Sequence, residues 1–330
     1  MENVWFLAAV WLGLALMATL LAIWLKISTA LSEIVVGTIA QLIIGVIVGR
    51  TALGSSSAWV TFLAGTGAIV LTFLAGAELD PAIFATKWKE VVVVGLAGFF
   101  SPFTLRTVVF VAVSVLTFIV LPFLTPRFFR RYGGRVSELE TKFILLALFG
   151  LGGVALWADS EPVLPAYVIG MVLAGSVGKD HLLIRRLRTL TFGLLTPFYF
   201  IRAGSFVSVP ALLGAPLTVI VLFFAKMLSK MLGVFPAVKT FQYAKQEAVY
   251  YTLMMSTGLT FGTISALFGL SHGIITPEQY SYLVATVIGS AVIPTLIANA
   301  YFMPIHLRAA EGGDAELEAT AHVRRVGQHD

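Results

Sequence analysis

Lys226 and Lys230 lie inside an apolar run, Ala211 to Phe235, that is long enough to cross a bilayer. A charge at that depth is costly in hydrocarbon and is retained for a task. The two lysines are four residues apart, so on a helix they share a face about one turn apart. If the run ends near Phe235, Lys230 is roughly 8 Å from the cytoplasmic end and can snorkel out, whereas Lys226 is roughly 14 Å deep and can do so only with strain. An amine held there is a candidate proton carrier, or a counter-ion to a carboxylate. Yet no Asp or Glu lies near the middle of any apolar run. A cation transporter built this way would carry buried cations and no buried carboxylate to hold its substrate.

The run Ser256-Thr257-Gly258-Leu259-Thr260-Phe261-Gly262-Thr263 crowds four hydroxyls and two glycines into the centre of another span. Hydroxyls can satisfy backbone groups freed where a helix breaks at mid-membrane, and such breaks line ion sites in transporters. An intact helix whose hydroxyls bond back to the preceding turn accounts for the same residues. Arg202 follows Pro197, which kinks helices, and precedes Gly204. It has two readings, neutralising broken-helix carbonyls or sitting toward the external interface. Glu33, Glu78 and Asp80 fall at span ends near the cytoplasmic surface, with Lys87 and Lys89 as candidate partners of the last two. Glycines at helical spacing, such as Gly37, Gly45 and Gly49, or Gly65, Gly67 and Gly76, read as close helix packing in lipid.

These groups must be positioned by membrane helices. The 330 residues are 58% hydrophobic and 12% charged, too few charges to solubilise so much apolar surface. The expected fold class is therefore an all-α polytopic membrane protein. There is no cysteine, and the five histidines are scattered without ligand spacing, so neither a metal site nor a cofactor is expected. The net charge of +5 resides in short loops, which excludes a nucleic-acid surface. No glycine-rich phosphate loop follows a strand, and no enzyme activity is expected.

Spanning runs are expected at Val4–Leu25, Ala30–Val48, Trp59–Ala77, Thr107–Leu124, Phe143–Trp157, Leu164–Val177, Leu190–Val207, Ala211–Phe235, Ala248–Leu270 and Tyr280–Met303, ten in all, with a stub at Val91–Phe103. Glu2, ahead of the first run and without a basic n-region, argues against a cleaved signal peptide. If the ten runs and the stub all cross, seventeen of the 22 Lys and Arg fall on one side, two on the other and three inside spans. The positive-inside rule then places the N-terminus outside and the C-terminus in the cytoplasm, in a cell (inner) membrane. A transmembrane domain over 1–306 and a solvated cytoplasmic tail over 307–330 are expected.

Several stretches together resemble one family, the monovalent cation:proton antiporters of the second, Kef-like and NapA-like, branch, whose membrane domain is that of sodium/hydrogen exchangers. They are Phe73-Leu74-Ala75-Gly76-Ala77-Glu78-Leu79-Asp80, Tyr167 to Gly175 continuing to Pro197-Phe198-Tyr199-Phe200, the Lys-bearing Ala225 to Gly233, the Thr257-Gly258 span, and Thr276-Pro277-Glu278 leading to Pro294. The resemblance implies an inverted-repeat bundle with a dimerisation unit and a core unit, two broken helices crossing near an acidic ion site, and a homodimer exchanging Na+ or K+ for H+ across the bilayer. It matches Lys230 to the core lysine that partners the ion-binding Asp in some members, and Thr257 to Thr263 to the second broken helix.

One departure from the pattern bears on activity. Ser101-Pro102-Phe103 runs directly into Thr104-Leu105-Arg106-Thr107, where the family carries a first broken helix and then the helix with the essential Asp. Two helices, roughly 50 to 70 residues with connections, are expected to be missing near 103/104. Loss of two crossings preserves topology and removes the ion site, so no exchange is expected. Two other functions remain open: a non-transporting membrane scaffold or partner subunit, and an organic-anion transporter using Lys226 and Lys230.

Overall fold

A computed structural model describes residues 4–47, 53–79, 105–132, 138–158, 160–175, 177, 180–240 and 245–304. The Val91–Phe103 stub, the 103/104 junction, Asp80, Lys87, Lys89 and the 307–330 tail lie outside the described residues. Among those described there are helices and turns but no strand. Seven helices are long and apolar enough to cross a membrane: those within Val4–Leu25, Ala58–Ala77, Val109–Arg131, Leu139–Trp157, Pro216–Pro236, Lys245–Ser271 and Pro277–Phe302.

The chain forms two compact units, Met1–Ser205 and Phe206–Asp330. The first contains α1 (Val4–Leu25), α2 (Thr29–Ile47), α3 (Ala58–Ala77), α4 (Leu105–Tyr132), α5 (Leu139–Trp157), α6 (Val163–Leu173) and α7 (His181–Leu190). A five-residue π segment, Thr191–Leu195, follows, and then α8 (Thr196–Ser205). Two reciprocal glycine crossings, each with a glycine on both helices, help hold it together. A Cβ at Gly76 of α3 would collide with the Tyr167 carbonyl of α6, and one at Gly170 of α6 with the Phe73 carbonyl of α3. Gly37 of α2 abuts the Ile201 backbone of α8, and Gly204 of α8 abuts Ile34 of α2. Such approach brings main chains into dispersion contact where no aqueous driving force exists. Around the first crossing, Val70, Phe73, Ile144, Ile169, Leu173 and Leu187 are fully buried.

Three of the expected spans depart from the apolar runs that suggested them. Leu164–Val177 yields only the eleven residues of α6, because the chain turns at Ala174 and Gly175. Leu190–Val207 is the second half of a continuous helical rod that starts at His181. Its first part, α7, is amphipathic, with Leu183, Ile184 and Leu187 buried and Arg185, Arg186 and Arg188 on the outer side. Neither element ranks with the seven full-length apolar helices, and α8 is buried by protein rather than faced by lipid. The third, Ala248–Leu270, is interrupted in the middle. The π turn sits where Pro197 requires it: a proline ring clashes with the carbonyl four residues back, and a widened turn leaves it room. Thr196 Oγ1 donates to the Thr191 carbonyl, 2.6 Å, satisfying an acceptor across five residues.

The second unit contains α9 (Val209–Gly214), α10 (Pro216–Thr240), α11 (Lys245–Met254), α12 (Leu259–Ser271), α13 (Pro277–Ile297) and a closing π segment, Ala298–Phe302. The start of α13 is fixed by a capping box between Thr276 and Gln279, with Pro277 at its first position. No residue of α10 with a described side chain is buried, so one flank of this unit is open.

Candidate functional site: a lysine at a broken helix

α11 ends at Met254 and α12 begins at Leu259, so Met255–Gly258 interrupts one 27-residue apolar stretch, Lys245–Ser271. The local sequence explains the ending of α11. The Met255 N–H donates to the Tyr251 carbonyl (2.9 Å), that of Ser256 to Leu253 (3.1 Å) and that of Thr257 to Met254 (3.3 Å). Two hydroxyls add to this: Ser256 Oγ donates to the Thr252 carbonyl and Thr257 Oγ1 to that of Met254, each at 2.8 Å. The last carbonyls of α11 are thereby satisfied without a following turn. Gly258 then serves as N-cap of α12, where no side chain caps the helix. Gly262 lies in the first turn of α12 against Val287 of α13, and Thr263 Oγ1 bonds back to the Leu259 carbonyl. Thr260 is half-buried in the same turn.

Lys226 reaches this break from α10. A methyl group placed on Gly258 would lie 3.9 Å from Lys226 Nζ. The amine donates to Ser290 Oγ of α13 at 2.7 Å, and Ser290 Oγ in turn donates to the Val287 carbonyl at 2.8 Å. Ser290 is fully buried, whereas Lys226 is half-buried. Lys230, one turn further along α10, is exposed and does not join the cluster. Three elements thus meet at one amine: α10 supplies it, α13 supplies its acceptor, and the α11–α12 break supplies the space beside it. The sequence reading missed Ser290. The signal available was its pairing with Gly289 in an otherwise apolar run, where Phe223 of α10 packs 3.4 Å from the position of a Gly289 Cβ.

Arg202 belongs to the first unit and serves a local purpose there. Its Nε donates to the Ser55 carbonyl at 2.8 Å, while Ser205 Oγ lies 2.8 Å from Ser55 Oγ, so the end of α8 is tied to the α2–α3 loop. Glu78 forms a two-pronged pair with Arg188 of α7, at 2.7 and 2.8 Å, while its expected partners Lys87 and Lys89 lie outside the described residues. The amphipathic α7 crosses the end of α3 and brings its arginine within reach. Glu33, expected near the surface at the start of a span, is 2% exposed in α2. Next to it, Ser32 Oγ donates to the Ala18 carbonyl of α1 at 2.7 Å, and this close α1–α2 pairing encloses the position.

Residues 12–108 and, as a second segment, 101–303 match the sequence model of the sodium/hydrogen exchanger transmembrane domain. The chain belongs to the sodium/hydrogen exchanger family. It is accordingly a multi-pass membrane protein of a cation:proton antiporter family. No curated protein matches it. In this exchanger-family chain the second unit contains only two carboxylates among its described residues, Glu247 and Glu278, both in the first turn of a helix. Neither is near Lys226, whose hydrogen-bond partner among the described residues is the Ser290 hydroxyl.

Proposed function

We propose that this exchanger-family chain has kept the membrane framework of a Na+/H+ or K+/H+ antiporter and does not itself carry out exchange. Exchange of a monovalent cation for a proton needs one carboxylate that binds either of them in competition, at depth and open to each side in turn. The observation that carries the reading is the partner of Lys226, the deeper of the two lysines: among the described residues its hydrogen-bond acceptor is the Ser290 hydroxyl and not a carboxylate. A hydroxyl stays protonated at physiological pH and cannot alternate between proton and cation. The family match supports the same reading, because its two segments meet at 101–108, where the sequence runs straight past the expected position of the acidic helix.

What remains is a role as a membrane scaffold or partner subunit, working as a homodimer with the N-terminus outside and the tail cytoplasmic. The glycine crossings of the first unit favour it, since they give a packed bundle that does not depend on the second unit's site. Reconstitution tests the proposal. Purified chain in proteoliposomes containing a pH-sensitive dye should give no proton flux above empty liposomes when Na+ or K+ gradients are imposed. Saturable cation-driven proton flux would refute it, and its loss on Glu33→Gln would show that the buried carboxylate of α2 serves as the exchanging acid.

A further inference from the structure

One face of α4 is open along most of its length and changes character at its end. Phe110, Ser114, Leu121 and Thr125 form the buried side of this helix. Leu116, Val120 and Phe123 lie on the opposite side, all exposed, at the three- and four-residue spacing that keeps side chains on one stripe. From Leu116 to Arg127 the helix rises roughly 16 Å, about half the thickness of the hydrocarbon core, so the apolar stripe is as long as one leaflet is deep. The stripe continues into Arg127, Arg130 and Arg131, also exposed, which together line a surface cavity of about 240 Å3, larger than a phosphate group. Arg127 is fixed there, because its Nη1 donates to the Phe123 carbonyl at 2.8 Å, using one of the five N–H donors of a guanidinium. Phe128 stacks on Phe143 with ring centres 4.6 Å apart, which sets this end of α4 beside the start of α5. Three carboxylates at the same end of the unit are committed elsewhere: Glu138 pairs with Arg186, Glu78 pairs with Arg188, and Asp180 caps α7. Arg127 and Arg130 form no ion pair with any described residue.

We propose that this stripe and cavity bind an anionic diacyl phospholipid, its phosphate held by Arg127, Arg130 and Arg131 and one acyl chain lying on Leu116, Val120 and Phe123. Guanidinium forks match phosphate oxygens in pairs, and clustered arginines at the end of a membrane helix favour anionic headgroups. An apolar track of leaflet depth leading into the cavity selects a lipid over a soluble phosphate. The inference rests on the chain being a membrane protein and not on the absence of exchange. Native mass spectrometry of the full chain released from detergent tests it. Dioleoyl-phosphatidylglycerol should bind roughly tenfold more tightly than dioleoyl-phosphatidylcholine. Arg127→Gln/Arg130→Gln should abolish that preference, whereas Lys239→Gln/Lys245→Gln, which takes the same charge from exposed positions of the second unit, should keep it. Dihexanoyl-phosphatidylglycerol, with the same headgroup on short chains, should bind roughly tenfold more weakly than the dioleoyl lipid. Excess inorganic phosphate should not displace the dioleoyl lipid. If the double arginine variant does not fold, Arg130→Gln alone, at an exposed position, should lower the preference severalfold. Equal binding of the two dioleoyl lipids to folded chain, an unchanged preference in the arginine variants, or an equal loss in the lysine variant would overturn the proposal. So would displacement by inorganic phosphate or equal binding of the short-chain lipid, either of which would make the cavity a site for soluble phosphate esters.

Discussion

Adding one methyl group at Gly76 or Gly170 should separate α3 from α6. At Gly76 the new carbon would collide with the Tyr167 carbonyl and lie 2.8 Å from Met171 N and 3.1 Å from Gly170 Cα. At Gly170 it would collide with the Phe73 carbonyl and lie 2.8 Å from Ala77 N and 3.0 Å from Gly76 Cα. These neighbours are backbone and cannot swing aside, so the helices must part by roughly 1 Å to recover ordinary non-bonded contact. Overpacking of this kind costs about 1–3 kcal/mol, offset by about 1 kcal/mol because alanine favours a helix over glycine. A net loss of roughly 0–2 kcal/mol corresponds to an apparent melting temperature lower by up to about 8 °C for a unit of this size. Gly150→Ala in α5 is the control: nothing lies within 4 Å of its Cβ position, so only the helix gain of up to about 1 kcal/mol applies. The double variant Gly76→Ala/Gly170→Ala should cost little more than either single one, because the first methyl group already opens the space the second needs. Fluorescence-detected size-exclusion melting in detergent reads all four proteins. If both single variants melt at or above the Gly150→Ala temperature, α3 and α6 are not in backbone contact and the packing argument fails.

Two further outcomes follow from the second unit and the loops. Lys230→Met should be neutral or stabilising by roughly 0 to 2 kcal/mol in the same melting assay, because it replaces an amine on the open flank of α10 with an apolar side chain of similar length; a clear loss would mean that this amine has a partner. Because the chain has no cysteine, single cysteines report topology directly: those at Arg130, Arg186 and Thr320 should label only from the cytoplasmic side and one at Ser208 only from outside. Labelling of Arg130 and Ser208 from the same side would contradict the orientation drawn from the distribution of Lys and Arg.

Length and apolarity made most of the helices legible, because a run such as Val4–Leu25 or Ala58–Ala77 has few alternatives in a bilayer. The interruption at Met255–Gly258 was legible for a chemical reason: hydroxyls and glycines placed together can end one helix and start another. Spacing alone could not assign Lys226 and Lys230 different surroundings. Four residues put them on neighbouring parts of one face, and only the position of α13 decides that the first meets Ser290 while the second stays exposed. A lone hydroxyl in an apolar run, like Ser290 or Thr286, is equally compatible with bonding back to its own helix, so its role waits on its neighbours. The burial of Glu33 was hidden for a related reason. Its depth is set by how closely α1 lies alongside α2, which hydropathy does not encode. Apolarity also overstated α6, since it measures how long a segment could be rather than where the chain turns.

The π segment Thr191–Leu195 makes the α7–α8 rod tolerant of sequence in one respect and intolerant in another. Each residue of an α-helix advances the face by about 100°, so the wider turn works as a phase shifter between two halves that answer to different surroundings. On one side, Arg188 must point at Glu78; on the other, Gly204 must point at Ile34. Substitutions within the five residues leave that phase intact. Losing one residue from the α-helical turns on either side would turn the arginine face of α7 by about a quarter of a revolution against α8, and the ion pair and the glycine crossing could no longer be satisfied together, whereas a loss inside the segment lets the wide turn close to an α turn with the rotation nearly unchanged. The residue counts from Arg188 to the π segment and from that segment to Gly204 are therefore constraints on this chain in their own right, separate from which residues fill those places.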